Sequence, residues 1–535
     1  MFGPDSEPSR LLAWLGLGLF LTFHTQILSG FALMQPDLGD IRLIQYLFEN
    51  DWRWLSGGFL ERGLWQADFF YPAQNVGAYT DTLLALAPFY APWRLLGFES
   101  DTALQAAAIG IFSANFLCAW YVLRRTLKLS SLAALAGAFV FSFAALRTAR
   151  MGHLQLCGQF YALLMIAALL EAHAADATAK TIRRAVWCFF AALLAQLYSG
   201  FYQTWAIVLI LLIALLIALL HAPWRKRIFA VLRQVSWHAP LAALLALLGA
   251  VPWLWTYLEA AQTLGFRSFA EVQGMLPRAQ SFLFSGRQNW LLGGLPWTTS
   301  LAQSLPMAHE HRLLPGVLLV AMGLAGLFLE RRKALVQLSV LSVSVVLLLA
   351  LYLPTLDFTL WRAVYAWLPG ANAVRAVSRL GMLMLFPLAL GVAFAVERMQ
   401  QRRQMAALAI AAAIFCIEQF TISPRFNKYE ARALVARVAA AVPQTCDAFY
   451  LGAKINRPDY AVQLDAMLAS QKLRIPTLNG YSGNVPPGWP LADPSKAQGA
   501  EIAAWLHSRS AHDIRPCVLT MRYSLTGAVT VEQAR

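Results

Sequence analysis

The chain has 535 residues, of which 59% are hydrophobic and only 13% charged, against roughly 45–50% and 25% in ordinary soluble domains. Its apolar residues fall in blocks of about 17–22, the length a helix needs to cross a hydrocarbon core, and alternating ten-residue strands are missing, which argues against an outer-membrane barrel. The net charge of +15 sits in short runs between those blocks, a pattern of cytoplasmic loops that argues against nucleic acid as a partner.

The first block, 11–33, is too long for the apolar core of a secretory signal and has no small-residue cleavage site behind it. It reads as a retained first helix. Five basic runs follow: Arg124, Arg125 and Lys128; Lys180, Arg183 and Arg184; Arg225, Lys226, Arg227 and Arg233; Arg331, Arg332 and Lys333; Arg398, Arg402 and Arg403. Placing all five inside requires a cytoplasmic N-terminus and about eleven spanning helices. They are expected near 11–33, 102–122, 130–147, 155–172, 185–200, 203–221, 236–256, 313–330, 334–353, 380–397 and 405–421. The apolar stretch 81–97 cannot span without throwing Arg124 and Arg125 outside. It is expected to lie along the outer interface as a helix, with Trp93 and Arg94 at headgroup level.

The expected fold is an α-helical polytopic membrane protein. Residues 1–421 would form the transmembrane domain, with long outer segments at 34–101 and 257–312, and residues 422–535 a small outer-facing α/β domain. The tail alternates helical stretches (430–441, 461–471, 500–508) with strand-like ones (448–451, 517–523). Cys118, Cys157, Cys188 and Cys416 lie in apolar blocks and are expected simply to pack. Cys446 and Cys517 each flank a tail strand. An oxidising outer compartment would let them form a disulfide, and the other reading is two free thiols.

Candidate chemistry lies on the outer side, where polar groups can be hydrated at the mouth of the bundle. Asp37 and Asp40 open the helix expected at 41–55, where free backbone N–H groups favour a carboxylate. Asp37 fits a helix cap. Asp40, at the membrane surface where an outer helix meets the bundle, could cap too, take a proton from an acceptor hydroxyl or hold a divalent cation.

The run Gly39-Asp40-Ile41-Arg42, the helix ending Asn50-Asp51-Trp52, Phe70-Tyr71-Pro72 and the interfacial stretch ending Leu96-Gly97 together resemble the first outer loop of GT-C-type glycosyltransferases. The likeness continues through Arg150-Met151-Gly152-His153-Leu154-Gln155 and Asn479-Gly480-Tyr481-Ser482-Gly483, blocks similar to those of poorly characterised bacterial GT-C-like membrane proteins. The resemblance implies a multi-spanning, inverting enzyme that takes a sugar from a polyprenyl-phosphate carrier. It also implies that the acidic residue of the first outer loop, here Asp40, is the catalytic base. The family's metal-binding Asp-X-Asp triplet is missing, so a divalent cation stays open.

Arg147, Arg150, Arg375 and Arg379 sit at outer helix ends, against the positive-inside trend. Arg147 and Arg150 are three apart, and Arg375 and Arg379 four apart, so each pair is expected to share one helical face, with His153 on the face of Arg150. Such guanidinium groups suit a lipid-linked phosphate, although snorkelling to headgroups would also place cations there. Asp37, Arg42 and Glu310 complete the substrate-binding candidates; for Glu310 the other reading is a favourable charge near a helix start. The sequence therefore points to a glycosyltransferase on the outer face of a bacterial inner membrane, with a polyprenyl-phosphate-linked sugar donor and membrane lipids as partners. The alternative is a transporter or lipid-carrier-handling protein, which would show an internal repeat and charged groups near mid-bilayer.

Overall fold

The computed structural model describes residues 6–58, 62–496, 499–511, 513–523 and 529–533. Helix covers most of each of the eleven expected segments, although the first ends at Leu28 and those at 130–147 and 155–172 are each broken in two. Among the described residues, seven helices are long and apolar enough to cross a membrane, from Glu7–Leu28 to Val377–Gln401. Three more (Val317–Leu329, Ala334–Ala350 and Met405–Gln419) are apolar but shorter. Ala179–Leu197 begins with Lys180, Arg183 and Arg184.

Several expected boundaries move, each for a local reason. The stretch 81–97 is not one interfacial helix. Pro88 and Pro92 break it into a 3-10 turn, Leu84–Phe89, and a single helical turn, Ala91–Leu95, because proline removes an N–H donor and clashes with the preceding turn. Arg94 turns back to pair with Glu49 at 2.8 Å rather than reaching for headgroups. The basic run around Arg225 is a helix, Ala222–Val235, not a loop. The helix expected from 313 starts at Val317, after Gly316 at φ +139°. There the Glu418 carboxylate, brought from the end of Met405–Gln419, accepts the N–H groups of Leu318 and Leu319, satisfying donors a helix start leaves free.

The helices pack tightly through small residues. A Cβ added at Gly326 would come within 1.8 Å of the Gly391 carbonyl, and one at Gly391 within 2.0 Å of Gly323 O. Val317–Leu329 and Leu385–Gln401 thus touch backbone to backbone, a contact suited to association without a hydrophobic driving force.

The tail forms a three-stranded sheet, β3 (Ala448–Ala453), β4 (Pro516–Tyr523) and β5 (Val529–Gln533), with β3–β4 parallel and β4–β5 antiparallel. Cys446 and Cys517 are bonded there, with Cα atoms 5.8 Å apart. The helices Lys428–Ala441, Asp459–Leu473 and Gly499–Ser508 accompany the sheet. The tail is not packed separately: Phe449 and Leu451 of β3 belong to the same buried cluster as Phe112 and Leu146 of the bundle. A short ladder, β1 (Leu33–Met34) with β2 (Phe426–Asn427), ties the tail's entry to the end of the first helix. Phe70 and Tyr71 donate to the carbonyls of Asn479 and Thr477.

The strongest link is ionic. Arg42, on the helix Asp40–Leu55, lies 2.8 Å from Asp465 on the helix Asp459–Leu473, and both side chains are buried. Arg457 holds the other Asp465 oxygen at 2.7 Å. Asp465→Ala should therefore strand a buried guanidinium and cost about 3–5 kcal/mol, read as a lowered unfolding midpoint. The double change Arg42→Met with Asp465→Leu should recover most of it. An unchanged midpoint in Asp465→Ala would show that this pair does not fasten the tail.

Candidate functional site

Asp40 is the first residue of its helix, behind Gly39 at the N-cap. Asp37 takes the Gly39 N–H on Oδ1 at 2.9 Å, shaping the turn just before the helix. The turn carrying Arg150 and His153 lies against this entry: a Cβ at Gly152 would be 3.2 Å from Pro36 and 3.7 Å from the Asp40 Cβ. The Asp40 side chain is 40% exposed, and each of its oxygens has one neighbour. Oδ1 accepts from the Tyr481 hydroxyl at 2.8 Å, and Oδ2 lies 3.3 Å from His153 Nε2. Burial and the Asp40 charge push the Tyr481 phenol well above its ordinary range, so it stays protonated and donates.

His153 connects two charge systems, since its Nε2 is also 3.1 Å from Arg379 Nη2. One ring nitrogen can donate to the carboxylate or accept from the guanidinium, but not both at once. Burial and then Arg379 lower the His153 pKa to about 4, against the pull of Asp40. The imidazole is therefore neutral near pH 7.

Behind it stands a buried ion triad. Glu310 receives Arg150 Nη1 at 2.6 Å on Oε2 and Arg379 Nη2 at 2.6 Å on Oε1. Arg150 also donates to the Glu310 carbonyl at 2.6 Å. Burial alone would raise the Glu310 pKa, but Arg379 and Arg150 outweigh it and hold this carboxylate well below its usual range. Arg312 adds a further cation, bonded to the carbonyls of His309 and Ala149. Burial and then Arg150 bring its pKa to about 10.

The expected arginine pairs separate. The short helix Ala145–Thr148 carries Arg147 and closes at Ala149, before Arg150, so the two do not share one helical face. Arg147 points inward, fully buried, donating to Phe141 O and Gln159 Oε1. Arg42 is likewise committed to Asp465. Both are buried and engaged elsewhere, Arg147 with interior acceptors and Arg42 with the Asp465 charge. Arg379 sits on a 3-10 segment, Val377–Met384, and Arg375 precedes it; with three residues per turn, a spacing of four does not align them. Arg375 instead reaches Glu271 Oε1 at 3.4 Å, and Arg267 reaches the same oxygen at 3.1 Å. Arg267 also donates to Gly483 O. Between the two groups lies Tyr202, whose ring faces Arg379 at 5.5 Å and whose hydroxyl accepts from Ala376 N–H.

Thus Asp40, His153, Arg150, Glu310 and Arg379 come together, with Asp37 at the edge and Arg375 in a neighbouring pair. Sequence inspection had assigned no role to Tyr481, Arg267, Glu271 or Arg312. Tyr481 alone carried a signal, its place in the Asn-Gly-Tyr-Ser-Gly run. Beside the triad an apolar groove of about 780 Å³ runs between Val317–Leu329, Ala334–Ala350 and Leu385–Gln401, lined by residues such as Leu313, Val320, Leu324, Val340, Met384 and Leu388. Among the described residues no three His, Cys, Asp or Glu side chains gather to hold a metal ion.

Two solved structures share this fold. One is the arabinofuranosyltransferase AftD from Mycobacteria, 17% identical, with a TM-score of 0.51 over 88% of this chain and 31% of that one. The other is the Archaeoglobus fulgidus oligosaccharyltransferase, 14% identical, with a TM-score of 0.53 over 98% of this chain and 72% of that one. The chain thus spans about a third of the length of AftD. No family model matches it, and neither does any curated protein.

Two outcomes follow from the triad. Glu310→Gln should leave Arg150 and Arg379 buried and mutually repelling, at a cost of about 3–5 kcal/mol, visible in thermal unfolding; a midpoint equal to the parent's would refute the role. His153 has a folded pKa below its unfolded value near 6.5, so the unfolded state binds more protons between about pH 4 and 6.5. Its contribution to stability is present above that window and lost as pH falls through it. Unfolding midpoints from pH 7 to 4.5 should fall less steeply in His153→Gln than in the parent.

Proposed function

On the premise of its GT-C fold, we propose that the protein is an inverting glycosyltransferase on the outer face of a bacterial inner membrane. Its donor is a sugar on a polyprenyl phosphate. The N-terminus is cytoplasmic, residues 1–421 form the membrane domain, and residues 422–535 form an outer domain that helps to present the acceptor. The positive-inside pattern of the five basic runs supports this orientation.

Asp40 acts as general base. It takes the acceptor hydroxyl's proton as that oxygen bonds to the anomeric carbon, and the phosphate leaves with the electrons of the broken C–O bond. Arg375, with Arg267 beside it, receives the phosphate. These two are partly exposed and share a single carboxylate, whereas Arg150 and Arg379 are occupied by Glu310. The inner pair is better suited to holding His153 and to providing a positive field for the departing charge. The polyprenyl chain fits the apolar groove, one wall of which, Leu313 and Leu314, comes three and four residues after Glu310 in sequence. Should the reaction need a divalent cation, Asp37 and Asp40 are the carboxylates at hand.

One observation carries the reading. Asp40 is a partly exposed carboxylate standing one imidazole away from a buried cluster of guanidinium groups. A transporter would hold its charges nearer mid-bilayer and would not need this carboxylate at the rim.

Purified protein supplied with a polyprenyl-phosphate sugar tests it. Asp40→Asn should lower kcat by about 10²–10⁴-fold with the donor KM little changed. Arg375→Gln should mainly raise the donor KM. Transfer by Asp40→Asn at the parent's rate would eliminate the base assignment.

A further inference from the structure

The rim around Asp40 carries groups that neither proton transfer nor phosphate binding uses. Tyr460, in the first turn of the helix Asp459–Leu473, is 37% exposed. Its ring lies over Gly39, where an added Cβ would meet Tyr460 Cε2 at 3.5 Å. The ring centroid is 6.1 Å from that of Tyr481, with the planes at 45°. Asp37 is exposed on the same edge, and the Tyr460 hydroxyl stands in the fields of both Asp37 and Asp40. Two phenol rings, set at an angle, and two carboxylates therefore lie along one solvent-facing edge.

These groups select a ligand by its chemistry. A sugar ring offers a C–H face and an edge of hydroxyl donors together. The flat, apolar body of a tyrosine covers the face, and carboxylates accept from the hydroxyls in short, charge-assisted bonds. A peptide acceptor would need free main-chain partners, and the adjoining loop has few to give. Gly480 N–H is taken by Gln463, Tyr481 N–H by Met467 sulfur, and Gly483 O by Arg267. The Tyr481 hydroxyl itself has the geometry expected of an acceptor alcohol: an O–H donating to Asp40 at 2.8 Å.

We propose that Tyr460, Tyr481, Asp37 and Asp40 form a carbohydrate seat. A neutral sugar ring packs on Tyr460, its hydroxyls bond to Asp37, and one hydroxyl takes the place on Asp40 now filled by the Tyr481 phenol. As an acceptor site it rests on the transferase reading; as a binding site it stands by itself. The acceptor class is then a glycan rather than a peptide or a lipid.

The test uses the full chain in lipid nanodiscs and saturation-transfer NMR with maltotriose, mannotriose and xylotriose, with the tripeptide Ala-Ser-Ala as the competing class. At least one trisaccharide should receive saturation and the tripeptide should not. Tyr460→Ala should weaken that binding roughly ten-fold, while Tyr460→Phe, which keeps the ring, should stay within about two-fold. Asp37→Asn, a second surface change, should weaken it as well, so the result does not hang on one variant's folding. Binding of none of the three sugars, binding of the tripeptide instead, or full affinity in both Tyr460→Ala and Asp37→Asn would overturn the proposal. Sugar binding that survives alongside undiminished transfer by Asp40→Asn would sink the catalytic reading alone.

Discussion

The candidate site is organised by one buried carboxylate. Glu310 is almost wholly removed from solvent, and Arg150 and Arg379 reach it from two other segments at 2.6 Å each. An unpaired charge at that depth would cost several kcal/mol, so the loop before Val317–Leu329, the turn after Ala145–Thr148 and the 3-10 segment Val377–Met384 have little freedom to separate. With its charge spent on two guanidinium groups, Glu310 is poorly placed to serve as a base. Burial and then Arg379, the arginine it retains, keep His153 neutral, and the His153 ring stands between Arg379 and one oxygen of Asp40. The open carboxylate is thus positioned through a chain of contacts that begins with a closed one.

The tail completes the site instead of merely covering it. Tyr481 reaches Asp40 from a loop rooted in the tail's own core, where Asn479 bonds Leu451 of β3 in both directions and also donates to Gln463. The same tail is fastened to the helix that starts at Asp40 through Asp465, Arg42 and the Gln471 bond to Tyr46 O. Carboxylate and phenol therefore ride on elements locked to one another, which keeps a 2.8 Å hydrogen bond in register across 441 residues of sequence. Precision of this kind usually needs supporting contacts behind the groups that meet the substrate.

Much of the architecture was legible because hydropathy has a length scale. A block of about twenty apolar residues admits few alternatives to a helix, and helix covers most of each expected segment. Boundaries slipped where the cause was local and steric, at Pro88 and Pro92, or distant and polar, at Gly316, where Glu418 caps a helix from about a hundred residues away. The fate of the arginines was not legible. Spacings of three and four imply a shared face only on a continuous α-helix, and the helix carrying Arg147 ends at Thr148, before Arg150, while the chain tightens to 3-10 at Val377. Arg147 looked like Arg150 in sequence, yet one fills the interior and the other grips Glu310.

By itself the sequence determined that this is a helical membrane protein with a mixed tail, and it marked Asp40, His153, Glu310 and the outer arginines as the groups worth following. Those conclusions rest on composition and on periodicity along the chain, which need no partner to be read. Only the tertiary structure decided which charges cancel and which remain available: Glu310 with Arg150 and Arg379, Arg42 with Asp465, Arg375 with Arg267 and Glu271, and Tyr481 on Asp40. The reason is physical. The state of a charge depends on its burial and on what stands within a few ångströms, and residues hundreds of positions apart supply those neighbours.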